Sequence, residues 1–189
     1  WQFDTNNMED FFDDVEAGVL TPRCAYITSA SLKDPNTAGH APDGITSLEV
    51  MTILSGDPKH WGVESDPTTS LKYRKNETYL ANKKKVEENL IERVDALFPG
   101  TKERIVFVES ATPVTHARYT WAAAGSGYGI AATPEQFMDN RPGYTGPIPG
   151  LYLCGASTRA GHGIVGAMMG GYKSARRAAR ELGVSIPRL

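Results

Sequence analysis

The chain is poor in cysteine. Its 189 residues include two cysteines, Cys24 and Cys154, far apart and in no paired motif. This usage is typical of a reduced intracellular protein, although a disulfide between the two stays open. Cys154 follows an apolar run, and we interpret it as a small buried hydrophobe at the end of a strand.

Long apolar runs and an excess of one charge are also missing. No apolar run approaches the ~20 residues of a membrane-spanning helix, and no signal-peptide pattern occurs. We expect a cytoplasmic protein without a transmembrane segment and leave peripheral membrane contact open. The 20 Lys and Arg nearly balance the 22 Asp and Glu, so charge gives no reason to expect a nucleic-acid partner.

Hydrolase and metal motifs are absent as well. There is no G-x-S-x-G elbow, and the four histidines show neither nucleophile nor metal-ligand spacing. The acidic residues between Glu9 and Glu16 lack the oxygen-rich loop spacing of a calcium site and suit the solvent-exposed face of a helix. We therefore expect no metal.

The sequence begins with Trp1 instead of Met. Its opening, Trp-Gln-Phe-Asp, resembles neither a natural start nor a targeting segment. We expect a processed, split or incomplete piece of a longer polypeptide.

Hydrophobic periodicity and turn residues predict the order of elements. In the first half they predict a helix over 6–18, antiparallel strands over 25–29 and 46–54, an ordered excursion over 56–69 and a helix over 76–98. A strand over 104–109 follows, and then an aromatic, glycine-rich loop over 110–140, in which a short helix starts at Thr133–Pro134. The last elements are a buried strand over 151–154 and a helix over 163–182.

The segment before the last helix is rich in glycine. Residues 161–166, Gly-His-Gly-Ile-Val-Gly, match the G-x-G-x-x-G pattern of dinucleotide-binding loops. In that motif the glycines directly follow a strand, and an acidic residue lies ~20 positions later on the next strand of a βαβ unit. Here residues 155–160 intervene and no second βα unit follows. We expect this strand, turn and helix to close a nucleotide-binding domain instead of opening one.

Two interpretations of the turn stay open on spacing alone. A helix N-terminus offers unpaired N–H groups and partial positive charge, and glycines let a flat or negatively polarised ligand approach the backbone. Alternatively, the glycines only relieve crowding in a tight strand-to-helix turn.

Residues 150–166 resemble the C-terminal FAD motif of the phytoene desaturase family, which includes carotenoid isomerases and retinol saturase. The family pattern is approximately L-Y-L-x-G-A-G-T-H-P-G-x-G-I-P-G. Segments 31–35, 48–50 and 111–120 agree more loosely. The chain departs from the pattern at Ser157, Arg159, Ala160, His162 and Val165.

The resemblance implies an α/β flavoprotein of the FAD/NAD(P)-binding type with two domains. Residues 1–145 would form an α+β portion of the substrate domain, with a mixed sheet, and residues 146–189 the closing strand and helix of the FAD domain. The N-terminal βαβ unit would be absent from this chain. FAD contacts carry over to Gly155, Ala156, Gly163, Ile164 and Val165.

The implied activity is part of an FAD-dependent oxidoreductase of desaturase, saturase or dehydrogenase type. It would act on an apolar or unsaturated small molecule by hydride transfer with flavin. FAD binding would require a partner polypeptide that carries the N-terminal half, giving a hetero-oligomer. The alternative is a non-catalytic relative that serves as a binding or assembly subunit.

No catalytic residue is identified by the sequence. The candidates are His162, Tyr119, Trp121 and Tyr128, and a neutral structural histidine is the competing interpretation of His162. Arg159 and His162 would lie close to the flavin, where they would tune its electronics or exclude a long polyene.

Overall fold

The structure is a computed structural model that describes residues 1–187. These residues form two compact units, one over Trp1–Gly125 and one that begins at Ser126. This division does not test the proposed assignment of 1–145 and 146–189 to two domains of a flavoprotein, which stays a prediction.

The first unit contains a small antiparallel sheet. It consists of β1 (Gln2–Phe3), β2 (Cys24–Thr28) and β3 (Glu49–Met51) in the order β1-β2-β3, with Ile27 opposite Val50. The predicted antiparallel pairing is confirmed, although β3 is much shorter than 46–54. The sheet is antiparallel throughout the described residues, whereas a mixed sheet was expected. A combination of helices and a small sheet agrees with the α/β class.

The helices are α1 (Met8–Glu16), α2 (Ala30–Lys33), α3 (Glu77–Leu97), α4 (Pro113–Thr120) and α5 (Gly163–Glu181). Asparagine side chains cap the N-termini of α1 and α3. The Asn7 side chain accepts the Glu9 N–H, and that of Asn76 accepts the Tyr79 N–H at 2.9 Å. Gly18 follows α1 with φ +76°, which favours glycine. The predicted helices over 6–18, 76–98 and 163–182 are thus confirmed.

The core of the first unit forms around Trp61, which is 1 % exposed. Trp61 ends a 3₁₀ turn (Pro58–Trp61), and its indole N–H donates to the Ser55 carbonyl at 2.9 Å. Buried side chains pack with it from the excursion (Val63), from a 3₁₀ turn over Lys72–Lys75 (Tyr73), from α3 (Tyr79 and Val86) and from α4 (Val114). The prediction of an ordered excursion over 56–69 is confirmed, because this segment supplies the largest core side chain.

Helix α4 was not predicted, although the sequence carries its start signal. Thr112 is its N-cap and forms a capping box with Thr115, and Pro113 occupies the first turn. The buried hydroxyl of Tyr79 also pairs with the Thr112 hydroxyl at 2.9 Å, which ties α4 to α3.

The predicted strand over 104–109 is wrong. A 3₁₀ turn (Lys102–Arg104) comes first, and the residues after it pair with no strand among residues 1–187. Val106 and Phe107 are 76 % and 77 % exposed. Their side chains favour extended backbone, but a strand also needs a neighbour for its N–H and C=O groups.

The second unit opens with short turns, and Thr133 and Pro134 begin a 3₁₀ helix (Pro134–Gln136) as predicted. The predicted buried strand over 151–154 is wrong. Only an isolated bridge joins Thr145 to Tyr152, and Cys154 is exposed, because a single hairpin does not cover both faces of that run. Both cysteines are free thiols, with Cys24 buried. Within residues 1–187, no helix is both long and apolar enough to cross a bilayer.

We expect Tyr79→Phe to lower the free energy of unfolding by about 1–2 kcal/mol, because the Thr112 hydroxyl loses its buried partner. The exposed Tyr119 hydroxyl, which accepts a hydrogen bond from Arg74, gives a matched control, and Tyr119→Phe should change stability by less than about 0.5 kcal/mol. Urea unfolding measures both. Equal losses in the two variants would contradict the role of Tyr79.

Candidate functional site

The glycine-rich turn follows a short hairpin in the second unit. The hairpin is closed by hydrogen bonds from the Gly146 N–H to the Leu151 carbonyl at 2.8 Å and from the Leu153 N–H to the Tyr144 carbonyl at 3.1 Å. The Tyr152 hydroxyl donates to a Glu181 carboxylate oxygen at 2.6 Å, and this bond raises the tyrosine pKa. The hairpin is thereby tied to the C-terminal end of α5.

Thr158 organises the turn itself and is 2 % exposed. Its backbone N–H and its hydroxyl both donate to the Gly155 carbonyl, at 3.1 and 2.9 Å. The Gly161 N–H donates to the Thr158 carbonyl at 2.9 Å. Two tight turns therefore follow one another between the hairpin and α5.

Small residues on α5 let this turn lie directly against the helix. A Cβ atom at Gly166 would come within 2.8 Å of the Gly161 carbonyl oxygen, which is too close for a real contact. One at Gly170 would stand 3.0 Å from the Thr158 hydroxyl oxygen. Gly166 is thus required for packing, and Gly170 makes a tight contact with the turn.

A second set of glycines faces open space. Gly155, Gly161 and Gly163 have φ between +77° and +90°, and a Cβ atom on any of them would meet nothing within 4 Å. These glycines leave the backbone accessible in front of the turn. Crowding thus explains the glycines on the helix side, and the space in front of the turn is compatible with a flat ligand, whose binding there stays a prediction.

The N-terminus of α5 adjoins this accessible face. His162 is its N-cap residue, and in the described part of the chain no side chain caps the helix. Ile164 and Val165, in the first turn, are 82 % and 74 % exposed. First-turn N–H groups carry the positive end of the helix dipole, so the site combines anion-favouring amides with apolar side chains.

The four candidate catalytic side chains divide between the two units. Tyr128 and His162 lie together in the second unit, with ring centroids 4.7 Å apart and a tilt of 46°. Tyr119 and Trp121 belong to the first unit, where both are exposed and Trp121 ends α4 with φ +56°. Their proposed roles stay predictions, as do the FAD contacts of Gly155, Ala156, Gly163, Ile164 and Val165.

Sequence reasoning missed Arg141, which lies behind the turn and is 4 % exposed. Its Nη2 donates to the carbonyls of Ala156 at 2.9 Å and Ile130 at 3.2 Å. The Arg141 carbonyl in turn accepts from Nε of Arg159 at 3.3 Å. No local signal identifies such a residue, because its burial depends on segments 11 and 15 residues away.

No group of three His, Cys, Asp or Glu side chains is arranged to hold a metal ion among the residues that the structure describes. The donors at the start of α5 are the backbone amides of its first turn. Such donors suit an organic ligand with negatively charged or polarised groups.

Residues 69–183 match the family model described as flavin containing amine oxidoreductase. Because the match covers more than half of the chain, this chain belongs to the family of flavin-containing amine oxidoreductases. The predicted resemblance to carotenoid-related flavin oxidoreductases is thereby confirmed.

Individual relatives agree with this assignment. The chain is 36 % identical over 147 residues to the chloroplastic prolycopene isomerase of Daucus carota and 35 % identical over 147 residues to that of Arabidopsis thaliana. Each alignment covers 76 % of this chain and 22 % of the relative. It is 25 % identical over 174 residues to the all-trans-retinol 13,14-reductase of Danio rerio, covering 87 % of this chain and 27 % of that protein. The chain thus spans about a quarter of the length of these relatives. No solved structure matches it.

Two glycines of α5 differ in what an added methyl group would meet. Gly166→Ala should lower the free energy of unfolding by about 1–3 kcal/mol, because the new methyl group collides with the Gly161 and Ala160 carbonyl oxygens. Gly171→Ala meets nothing within 4 Å and should be neutral or stabilising by up to about 1 kcal/mol. Denaturant unfolding distinguishes the two. A Gly166→Ala variant as stable as Gly171→Ala would refute the close packing.

Proposed function

We propose that this chain forms the flavin-side wall of an FAD-dependent oxidoreductase that acts on an apolar or unsaturated small molecule. The observation that carries the proposal is the open face of the turn. There Gly155, Gly161 and Gly163 leave room for a flat ligand beside the uncapped N-terminus of α5. Membership of a family of flavin-containing oxidoreductases supports a flavin as that ligand.

The residues of the turn have distinct roles in this proposal. Gly155 and Ala156 would hold the pyrophosphate and ribityl chain, and the first turn of α5 would hold the isoalloxazine ring. The bound FAD supplies the redox chemistry, accepting or donating hydride. The amides of Gly163, Ile164 and Val165 favour negative charge at the ring edge through the helix dipole.

The apolar character of the substrate is supported by two observations. Ile164, Val165 and Met168 present exposed apolar side chains on the first turns of α5. The similar proteins are named for prolycopene and all-trans-retinol, both rich in hydrocarbon. We therefore propose an apolar substrate for this chain, with His162 and Tyr128 as the pair to replace first.

The ADP half of FAD needs a further segment. The nucleotide-binding βαβ unit has parallel strands, whereas the described part of this chain has antiparallel pairs. We therefore propose that FAD binds only when this chain is combined with a polypeptide that carries the N-terminal half of the domain.

The test uses two glycines of equal backbone strain. Gly163 and Gly150 have φ of +77° and +81°, and a side chain on either enters open space. In the complex of this chain with its N-terminal partner, Gly163→Leu should weaken FAD binding about tenfold or more, because the side chain fills the ligand's place. Gly150→Leu should bind FAD like the wild type. Flavin fluorescence titration measures both affinities.

The chain purified alone should be colourless, and the complex should carry flavin absorbance. Flavin retained by the isolated chain would contradict the dependence on a partner. A complex that stays colourless when saturated with FAD would contradict the flavin function and favour a non-catalytic binding or assembly subunit. Equal FAD affinities for Gly163→Leu and Gly150→Leu would place the flavin away from this turn.

A further inference from the structure

Arg141 is a buried cation without a carboxylate partner. Its side chain lies within the second unit at 4 % exposure, and no Asp or Glu among residues 1–187 forms an ion pair with it. Both of its side-chain hydrogen bonds leave from Nη2 and reach backbone carbonyls. Its Nε is buried with no hydrogen-bond partner in the described residues.

Such an arrangement is unfavourable on its own. Removing a charge from water is costly unless an opposite charge and hydrogen bonds replace the lost solvent. Backbone carbonyls satisfy part of the guanidinium, but they leave its positive charge uncompensated. An anion beside Arg141 would supply what the chain does not.

The position of Arg141 indicates where that anion lies. One of its acceptors is the carbonyl of Ala156, the residue after Gly155 in the turn. Gly155 itself faces open space, so a ligand reaches the backbone next to the carbonyl that Arg141 holds. The guanidinium is thus bonded to the residue that directly follows the accessible Gly155.

We propose that Arg141 is a cationic positioning residue for the turn. Its guanidinium fixes the Ala156 carbonyl, and its positive charge favours a negatively charged ligand group bound against Gly155–Ala156. This inference rests on the proposed flavin function for its ligand, whose pyrophosphate and reduced ring both carry negative charge. A structural residue alone would need the hydrogen bonds but not the charge. The two roles therefore separate experimentally.

The first arm uses inorganic pyrophosphate on the 189-residue chain, compared with sodium chloride at equal ionic strength. At about ten times its dissociation constant, pyrophosphate should raise the unfolding midpoint of the wild type by about 3 °C. Arg177→Met is the matched control, because Arg177 is half-exposed on α5 and pairs with Glu181, and it should show the same rise. Arg141→Met should show none, and Arg141→Lys, which keeps the charge, should retain part of the rise.

The second arm distinguishes the pyrophosphate from the ring as the source of negative charge. In the FAD-loaded complex, a more negative reduction potential in Arg141→Met than in the wild type and Arg177→Met assigns the anion to the reduced ring. An unchanged potential together with a lost pyrophosphate response assigns it to the phosphates. If Arg141→Met does not fold, the Nε–H resonance of Arg141 in the wild type decides, since it should shift when pyrophosphate or FAD is added.

The inference is overturned if Arg141→Met matches the wild type in both pyrophosphate response and reduction potential, or if the Nε–H resonance of Arg141 moves with neither ligand. A complex that binds no flavin would refute the proposed function, and the pyrophosphate arm would then decide the role of Arg141 alone. A complex that binds flavin while Arg141→Met behaves as the wild type would refute only the role of Arg141.

Discussion

The close contact between the Thr158 turn and the glycine face of α5 is the constraint on which the site depends. Thr158 is buried against α5, where Gly170 leaves room for it, and its hydroxyl and N–H are both satisfied by the Gly155 carbonyl. This contact fixes where the chain enters α5. The accessible Gly163 and the first-turn amides consequently lie together at the start of α5.

The glycines of this segment have two physical roles, which the pattern G-x-G-x-x-G does not distinguish. Gly166 is needed because a methyl group there would collide with the backbone of the turn, whereas Gly163 enters the helix with φ +77° and has free space beside it. The crowding interpretation therefore holds for Gly166, and ligand access at the glycines of the turn stays a prediction. Crowding explains the glycines on the helix, and ligand access supports the proposed role of those in the turn.

Local sequence signals, such as helix caps, predicted much of the fold. Features that depend on contacts between distant segments were not predicted. Asn7 and Asn76 cap α1 and α3 as their side-chain chemistry dictates, and Thr112–Pro113 carries the same signal for α4, so that helix was predictable in principle. The 104–109 segment failed as a strand because pairing depends on a neighbour that its own sequence does not specify. Arg141 was missed for the same reason. Glycine pattern and family resemblance located the turn, but only the three-dimensional contacts reveal the buried charge behind it.

The central claim is that the open face of this turn holds the flavin ring. The most direct measurement is the change in backbone amide chemical shifts when FAD is added to the chain in complex with its N-terminal partner. We expect the largest changes at Gly155, Ile164 and Val165, with Gly150 and Gly183 nearly unchanged. The largest changes elsewhere in the chain, with the amides of the turn and the first turn of α5 unmoved in a flavin-loaded complex, would contradict it.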